Sequence, residues 1–186
     1  MKPILVLYAT SEGHTRQVAE HVGETLVGDD LDVKVLNVSA ARDLDLSGFS
    51  AAVLASPVHA FHHDRALSRF VKAHRAQLEK MPSAFLSISL TEAMIESAES
   101  TDEKRRGAIV ERDKQLEGFF TETGWRPPLV QAVAGALLFE QAGFFKRLLL
   151  KAIARGAKLE SNKDQVFTNW AALDGFAHEF AARARG

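Results

Sequence analysis

Short runs of apolar residues alternate along the chain with longer segments in which apolar residues recur every three or four positions. The short runs predict strands and the periodic segments predict helices, because side chains repeat every two residues along a strand and about every 3.6 along a helix. The predicted strands are Lys2–Ala9, Asp32–Val38, Ala51–Ala55, Ser83–Leu90 and Leu129–Ala134. The predicted helices are Thr15–Leu26, Asp64–Leu78, Asp102–Thr121, Phe144–Arg155 and Thr168–Arg183.

This alternation predicts a single doubly wound α/β domain over residues 1–186. Parallel strands joined by right-handed helical crossovers carry helices on both faces of the sheet. Most of the predicted strands are continuously apolar, as expected for strands that are buried on both faces. Ligands of such a fold bind beyond the carboxyl ends of the strands, where the strand order reverses.

The loop after the first predicted strand, Thr10 to Thr15, is a candidate phosphate site. A helix that starts there presents unpaired N–H groups and a partial positive charge, which favour a bound anion. The hydroxyl groups of the loop add donors, and Gly13 permits a tight turn around the ligand. The chain has neither a Walker sequence nor a dinucleotide-binding glycine pattern here. An ordinary helix cap is the alternative, since Ser and Thr favour caps.

Composition excludes several classes of function. Because the chain has no cysteine, it has no disulfide framework, thiolate metal site or cysteine nucleophile. The net charge of −1 provides no basic field for nucleic acid. The first apolar run is too short for a signal peptide, and no run of about 18 uncharged apolar residues is present. We therefore expect a cytoplasmic protein.

Three later segments, together with the Thr-x-x-Gly-x-Thr spacing of the first loop, carry a family resemblance. They are MPSAFLSISL (81–90), GWRPPLVQAVAGAL (124–137) and VFTNW (166–170). In this order they resemble the flavodoxin-like, menaquinone-dependent protoporphyrinogen IX dehydrogenase family, from residue 2 to about residue 180. The resemblance implies a flavodoxin-like three-layer sandwich whose five parallel strands have the order 2-1-3-4-5. It also implies that FMN oxidises protoporphyrinogen IX to protoporphyrin IX for heme biosynthesis, with a quinone as acceptor.

The resemblance implies that FMN contacts three loops. The residues expected around its phosphate are Thr10, Ser11, Glu12, Gly13, His14 and Thr15. The residues expected around its isoalloxazine ring are Pro57, Val58, His59, Ala60 and Phe61 from one loop and Ser89, Leu90 and Thr91 from the other. His59 is the candidate catalytic residue, because an imidazole near the ring supplies positive charge that favours two-electron chemistry. Phe61 either stacks near the ring or packs under the following helix.

His14 either adds charge beside the phosphate or lies exposed on the first helical turn. His59, His62, His63 and Asp64 carry metal-binding groups, but adjacent side chains diverge, and we predict that they line the cofactor loop and begin a helix. We therefore predict no metal site.

The substrate's carboxylates require cations, and the segment 92–106 opens instead with acidic residues. Arg126, Lys146 and Arg147 are the candidate substrate residues.

The segment 138–158 combines an apolar helical face with a basic side. Such a helix either lies in a membrane interface, near a quinone pool on the inner face of the membrane, or packs on the sheet or on a second subunit. The predicted partners are therefore a porphyrinogen or other small redox substrate and a membrane quinone, with possible peripheral membrane contact and no nucleic acid.

Two other functions are compatible with a flavodoxin-like fold. One is a flavodoxin-type electron carrier or an FMN quinone reductase, although carriers are typically strongly acidic and this chain has a net charge of only −1. The other is a binding module without redox turnover.

Overall fold

A computed structural model of the chain describes residues 2–10, 13–137 and 164–186. Its strands are β1 (Ile4–Tyr8), β2 (Val33–Asn37), β3 (Ala51–His59), β4 (His62–His63), β5 (Ser83–Ser89), β6 (Leu129–Ala134), β7 (Ala136–Leu137) and β8 (Gln165–Val166). Its α-helices are α1 (His14–Gly28), α2 (Arg65–Leu78), α3 (Leu90–Glu96), α4 (Asp102–Thr123) and α5 (Trp170–Arg185). Short 3-10 turns cover Val38–Ala40 and Leu46–Gly48.

Five parallel strands form the main sheet in the order β2-β1-β3-β5-β6. Counted along the five predicted strands, this order is 2-1-3-4-5, so the predicted flavodoxin-like topology is confirmed. The order reverses between β1 and β3, whose carboxyl ends are Tyr8 and His59. Ligand-binding loops of doubly wound sheets lie beside that reversal.

One face of the sheet packs against α1 and α5. The alternate residues Ile4, Val6 and Tyr8 of β1 point to this side, where they meet apolar side chains of both helices. Val22 of α1 and Phe180 of α5 are fully buried there. Because side chains alternate along a strand, the intervening residues of β1 point to the opposite face.

The opposite face packs against α2 and α4 and contains most of the aromatic core. Phe85 of β5 is fully buried, and its ring stacks on Phe119 of α4 with 4.4 Å between centroids. Trp125, just beyond α4, meets both rings edge-on. The continuously apolar strands are therefore explained by burial on both faces.

The predicted elements are present, with differences at their ends. Strand β3 extends past the predicted end at Ala55, because Val58 and His59 form a hairpin with His63 and His62 of β4. Helix α3 begins at Leu90, where the sequence predicts the end of a strand and an irregular loop. Helix α4 continues two residues past the predicted end at Thr121 and stops at Gly124, which has a left-handed φ of 70°.

The predicted helix Phe144–Arg155 lies outside the described residues, as does the rest of the segment 138–158. Strands β7 and β8, which flank it in sequence, pair with each other through Leu137 and Gln165. Within the three described ranges, no helix is both long and apolar enough to span a membrane.

Candidate active site

The carboxyl ends of β1, β3 and β5 bring three segments to one edge of the sheet. They are the first loop up to Thr15, the β3–β4 hairpin around Ala60, and the start of α3 at Leu90. These segments contain the residues that the sequence assigns to the cofactor. The predicted grouping of three separate segments therefore follows from the observed strand order.

The first loop turns at Gly13, which has a φ of 87° and lies at the N-cap of α1. Its N–H donates to Thr10 Oγ1 over 2.9 Å, and Thr15, the second residue of α1, is buried. Ser11 and Glu12 lie outside the described residues. The glycine is needed because a side chain would be strained at this φ.

The N-cap of α1 differs from those of the other helices in the described ranges. Gly13 has no side chain to accept from the first amides of α1, whereas α2, α3, α4 and α5 each have a side-chain cap. The first amides of a helix have no partner inside it and attract an anion. Thr10, Gly13 and the start of α1 thus fit the phosphate of FMN.

His14 points into the protein, so the alternative that it lies exposed on the first helical turn is wrong. Its side chain is 6% exposed, and Nε2 lies 2.8 Å from Thr168 Oγ1. Burial lowers the pKa of His14, with a smaller opposing effect from the hydrogen bond to Gln17. The alternative that His14 adds charge beside the phosphate is therefore disfavoured at neutral pH.

The β3–β4 hairpin exposes Phe61 at its tip. Ala60 and Phe61 form the two-residue turn with φ values of 46° and 70°, the left-handed region that L side chains disfavour. A turn with positive φ at both central positions matches the type I′ geometry, for which Asn-Gly is preferred. The Phe61 ring is 68% exposed, so the alternative that it packs under α2 is wrong.

The other residues of this segment occupy distinct positions. Pro57 lies inside β3 opposite Ile88 and is buried, while Val58 pairs with His63. His59, the candidate catalytic residue, is exposed at the last position of β3, next to the turn. It therefore has no contact in the core that would account for it structurally.

The histidines of the hairpin diverge. His63 is buried between Phe85 and Phe119, with Nε2 2.9 Å from Ser87 Oγ, whereas His62 is exposed. Asp64 accepts from the amides of Ala66 and Leu67 as the cap of α2. In the described part of the chain, no group of three or more acidic or histidine side chains is placed to hold a metal ion.

Ser89, Leu90 and Thr91 lie where β5 passes directly into α3. The hydroxyl of Ser89 accepts from Glu92 N over 3.1 Å, and the amides of Leu90 and Thr91 begin the helix. These two amides lie ahead of the first intrahelical hydrogen bonds, so they are available to oxygen and nitrogen acceptors of a ring. The prediction that they bind the ring's pyrimidine edge is thus compatible with this geometry.

Glu92 is buried behind this helix start. Its Oε2 lies 3.7 Å from Arg112 Nη1, too far for a hydrogen bond, and has no other partner in the described structure. Burial raises the pKa of Glu92, against the opposing charge of Arg112. The acidic start of 92–106 is therefore partly packed between α3 and α4. Arg105 of α4 donates from Nε to the carbonyl of Ile95 over 3.0 Å and so holds the end of α3 against α4.

Arg126 is placed where it cannot serve the substrate role that the sequence suggests. It precedes β6 and so lies at the amino edge of the sheet, opposite the three converging segments. Its guanidinium forms two hydrogen bonds of 2.6 and 2.8 Å with Glu117. The candidate substrate role of Arg126 is therefore not retained. Lys146 and Arg147 lie outside the described residues.

Arg65 is a cation at the site edge that the sequence analysis missed. It is the first residue of α2, two positions after His63 of the hairpin, and it is exposed. Among the described residues its guanidinium has no hydrogen-bond or ion-pair partner. The hairpin folds β4 back along β3, so Arg65 follows it at the N-terminus of α2, beyond the carboxyl end of β3.

Comparisons with known proteins agree with this architecture. A family model described as a flavodoxin domain matches residues 5–164. A mutant flavodoxin from Pseudomonas aeruginosa superposes with a TM-score of 0.57 at 14% identity, covering 99% of both chains. Flavodoxin 1 from Bacillus cereus superposes with a TM-score of 0.54 at 11% identity, covering 97% of both chains. The chain therefore belongs to the flavodoxin family.

Curated relatives define the branch of this family more narrowly. A protein named protoporphyrinogen IX dehydrogenase [quinone] from Leishmania major is 30% identical over 96% of this chain and 74% of its own length. The protein of that name from Escherichia coli K12 is 27% identical over 95% of this chain and 93% of its own. The resemblance inferred from the motifs is thereby confirmed. The chain is an FMN-dependent oxidoreductase of flavodoxin type, as predicted.

Proposed function

We propose that this protein dehydrogenates protoporphyrinogen IX and passes the electrons to a quinone. The observation that carries the proposal is the convergence of three FMN-compatible segments in a chain that resembles the protoporphyrinogen IX dehydrogenases over 95% of its length. Bound FMN supplies a two-electron acceptor for each dehydrogenation step. The remaining task of the protein is to hold and orient cofactor and substrate.

The first loop holds the cofactor's phosphate in this proposal. Thr10 and Gly13 shape the turn, and the uncapped amides of α1 face the anion. Ser11, Glu12, His14 and Thr15 complete the loop, with His14 in a supporting position rather than in direct contact. The neutral amides and hydroxyls favour the charged phosphate without a basic side chain.

The hairpin and the start of α3 border the ring. Pro57, Val58 and Ala60 provide backbone on one side, and Ser89, Leu90 and Thr91 provide backbone on the other. His59 and Phe61 are exposed at the tip of the hairpin, where an imidazole and an aromatic ring are placed to meet a flat substrate. We assign His59 the role of placing positive charge near the reacting ring system.

Arg65 binds a carboxylate of the porphyrinogen in this proposal. Its guanidinium has no partner among the described residues and follows the hairpin at the first position of α2. Arginine binds planar carboxylates through two parallel hydrogen bonds. Peripheral contact with a membrane through 138–158 remains part of the proposal on sequence grounds, because quinones are found in membranes.

The direct test is anaerobic mixing of the FMN-loaded protein with protoporphyrinogen IX in a stopped-flow spectrometer. We expect the visible flavin absorbance to bleach on mixing and to return when a soluble menaquinone analogue is added. Porphyrin absorbance should then grow, because the quinone reoxidises the flavin for the repeated two-electron steps that the conversion of porphyrinogen to porphyrin requires. A flavin that stays oxidised with porphyrinogen yet is readily reduced by another donor would refute the proposed substrate. That result would favour an electron carrier or a quinone reductase instead.

Substrate binding by Arg65 is tested with Arg65→Gln and with Arg126→Gln as its matched control. Arg65→Gln removes the guanidinium that binds a substrate carboxylate at the solvent-exposed surface. It should raise the KM for porphyrinogen about fivefold and leave the affinity for FMN unchanged. Arg126→Gln removes a guanidinium at the opposite edge of the sheet and should leave KM unchanged. Equal effects from the two substitutions would exclude a specific contact with Arg65.

A further inference from the structure

A buried hydrogen bond connects the first loop to the segment before the last helix. His14, directly after Gly13, approaches Thr168 Oγ1 with Nε2 at 2.8 Å, and both side chains are buried. The two residues are 154 positions apart in sequence. The bond therefore joins the start of the fold to its end at the edge where the proposed phosphate site lies.

The direction of this hydrogen bond follows from the second contact of Thr168. Its hydroxyl donates to the carbonyl of Ala134 over 2.6 Å, so its single proton is already used. The oxygen must therefore accept from His14, which places the proton of the neutral imidazole on Nε2. The unprotonated Nδ1 is then an acceptor, so it pairs with the side-chain amide of Gln17 through that amide's N–H group. Because burial lowers the pKa of His14, this donor is an uncharged group held in one orientation.

The contact continues to the start of α3. Ala134 ends β6 opposite Ser89 of β5, and the amide of Gly135 donates to the carbonyl of Ser89 over 2.9 Å. Ser89 in turn caps α3. A continuous path of backbone and side-chain hydrogen bonds thus joins the loop at Gly13 to the segment proposed to border the ring.

We propose that His14 and Thr168 form a positioning pair, here called the clasp, which holds the first loop in its phosphate-binding geometry. The inference rests on the proposed binding of FMN and extends it to residues that do not touch the cofactor. The clasp orients the backbone around Gly13, and the residues that precede α5 become part of the phosphate site. It also gives a role to Thr168, a member of the VFTNW segment.

A merely structural role is the competing explanation, because α1 and α5 also pack together elsewhere. His21 of α1 contacts Asp174 of α5 over 2.6 Å, and Trp170 lies against the ring of His21 with 4.9 Å between centroids. This second pair joins α1 to α5 itself and lies two turns further along α1 than His14. It provides a matched control, because it stabilises the helix contact without reaching the loop.

The test compares the dissociation constants of FMN and riboflavin, which differ by the phosphate, by flavin fluorescence quenching. Thr168→Val keeps the side-chain volume and removes the hydroxyl. We expect it to raise the dissociation constant of FMN about tenfold while that of riboflavin changes less than about twofold. Thr168→Ser, which keeps the hydroxyl, should keep the wild-type ratio of the riboflavin to the FMN dissociation constant. Asp174→Asn should lower thermal stability and leave that ratio at the wild-type value.

A second pair of variants covers the case in which Thr168→Val does not fold. His14→Gln can still donate an N–H to Thr168 and should keep the preference for FMN, whereas His14→Leu should lose it. Equal losses for FMN and riboflavin, or no loss of either, would overturn the clasp while leaving the proposed cofactor intact. A wild-type protein that binds neither flavin would refute both proposals.

Discussion

Acid should destabilise this protein through His63. The imidazole is 6% exposed, lies within 4.9 Å of the ring centroid of Phe119, and has Nε2 2.9 Å from Ser87 Oγ. Its Nδ1 is buried and has no hydrogen-bond partner among the described residues. A proton added there would create a buried cation with an N–H that meets no acceptor, so the folded state favours the neutral ring.

The size of the effect follows from the difference between folded and unfolded pKa values. Burial lowers the pKa of His63 from 6.5 to about 4. The nearby charge of Glu122 raises this pKa by a smaller amount, and the charge of His62 lowers it slightly further. Between these values the unfolded chain binds more protons, so the free energy of unfolding falls as the pH falls below 6.5. From pH 8 to pH 5 the loss is about 2 kcal/mol.

The assay is urea denaturation of wild type and His63→Phe at pH 8, 7, 6 and 5, with FMN at one fixed concentration. The phenylalanine ring fills the same space but cannot be protonated. The variant should lose about 2 kcal/mol less than wild type between pH 8 and 5, whatever its stability at pH 8. His62→Gln controls for the loss of an exposed histidine from the same strand. Parallel pH dependence in wild type and His63→Phe would refute the reasoning.

Two further predictions concern the hairpin and the core. Replacing the turn by Asn-Gly through Ala60→Asn and Phe61→Gly should raise the free energy of unfolding by about 1 kcal/mol, because both positions have positive φ. The same change should lower kcat/KM for porphyrinogen, and a loss of stability in urea would contradict the argument. Phe85→Ala should cost about 3–5 kcal/mol in the same denaturation assay, because the ring is fully buried. Val110→Ala on the exposed side of α4 is its control, and a comparable loss there would contradict the packing argument.

The strands and the topology could be predicted because burial leaves a strong mark on the sequence. The run Ile4–Tyr8 is apolar throughout because each face of β1 is covered by a separate pair of helices. Gly124 marks the end of α4 because only a residue tolerant of positive φ ends the helix there. Such signals depend on local chemistry and so can be identified without knowing the rest of the fold.

The environment of the site residues was less predictable, because it depends on contacts distant in sequence. The burial of His14 follows from Thr168, which lies at the other end of the chain. Arg126 and Arg65 are both arginines beside helix ends, and only the direction of the neighbouring strands puts them at opposite edges of the sheet. The hairpin was missed because Ala60 and Phe61 lack the Asn-Gly signal that its turn geometry favours.

Several of the departures from local structural preference in the described residues lie at the edge where the site is proposed. Of the three non-glycine residues with positive φ in the described ranges, Ala60 and Phe61 lie at the hairpin tip, and Asp30 lies after α1 at the opposite edge. Four buried side-chain atoms in the described residues have no hydrogen-bond partner. Two of them, His63 Nδ1 and Glu92 Oε2, lie in the hairpin and behind α3, and the other two, Ser68 Oγ and Gln115 Oε1, lie in α2 and α4. Each of these features costs stability. The strained turn at Ala60 and Phe61 is exposed and packs nothing in the core, so a functional origin for the hairpin tip is the explanation that we favour for it.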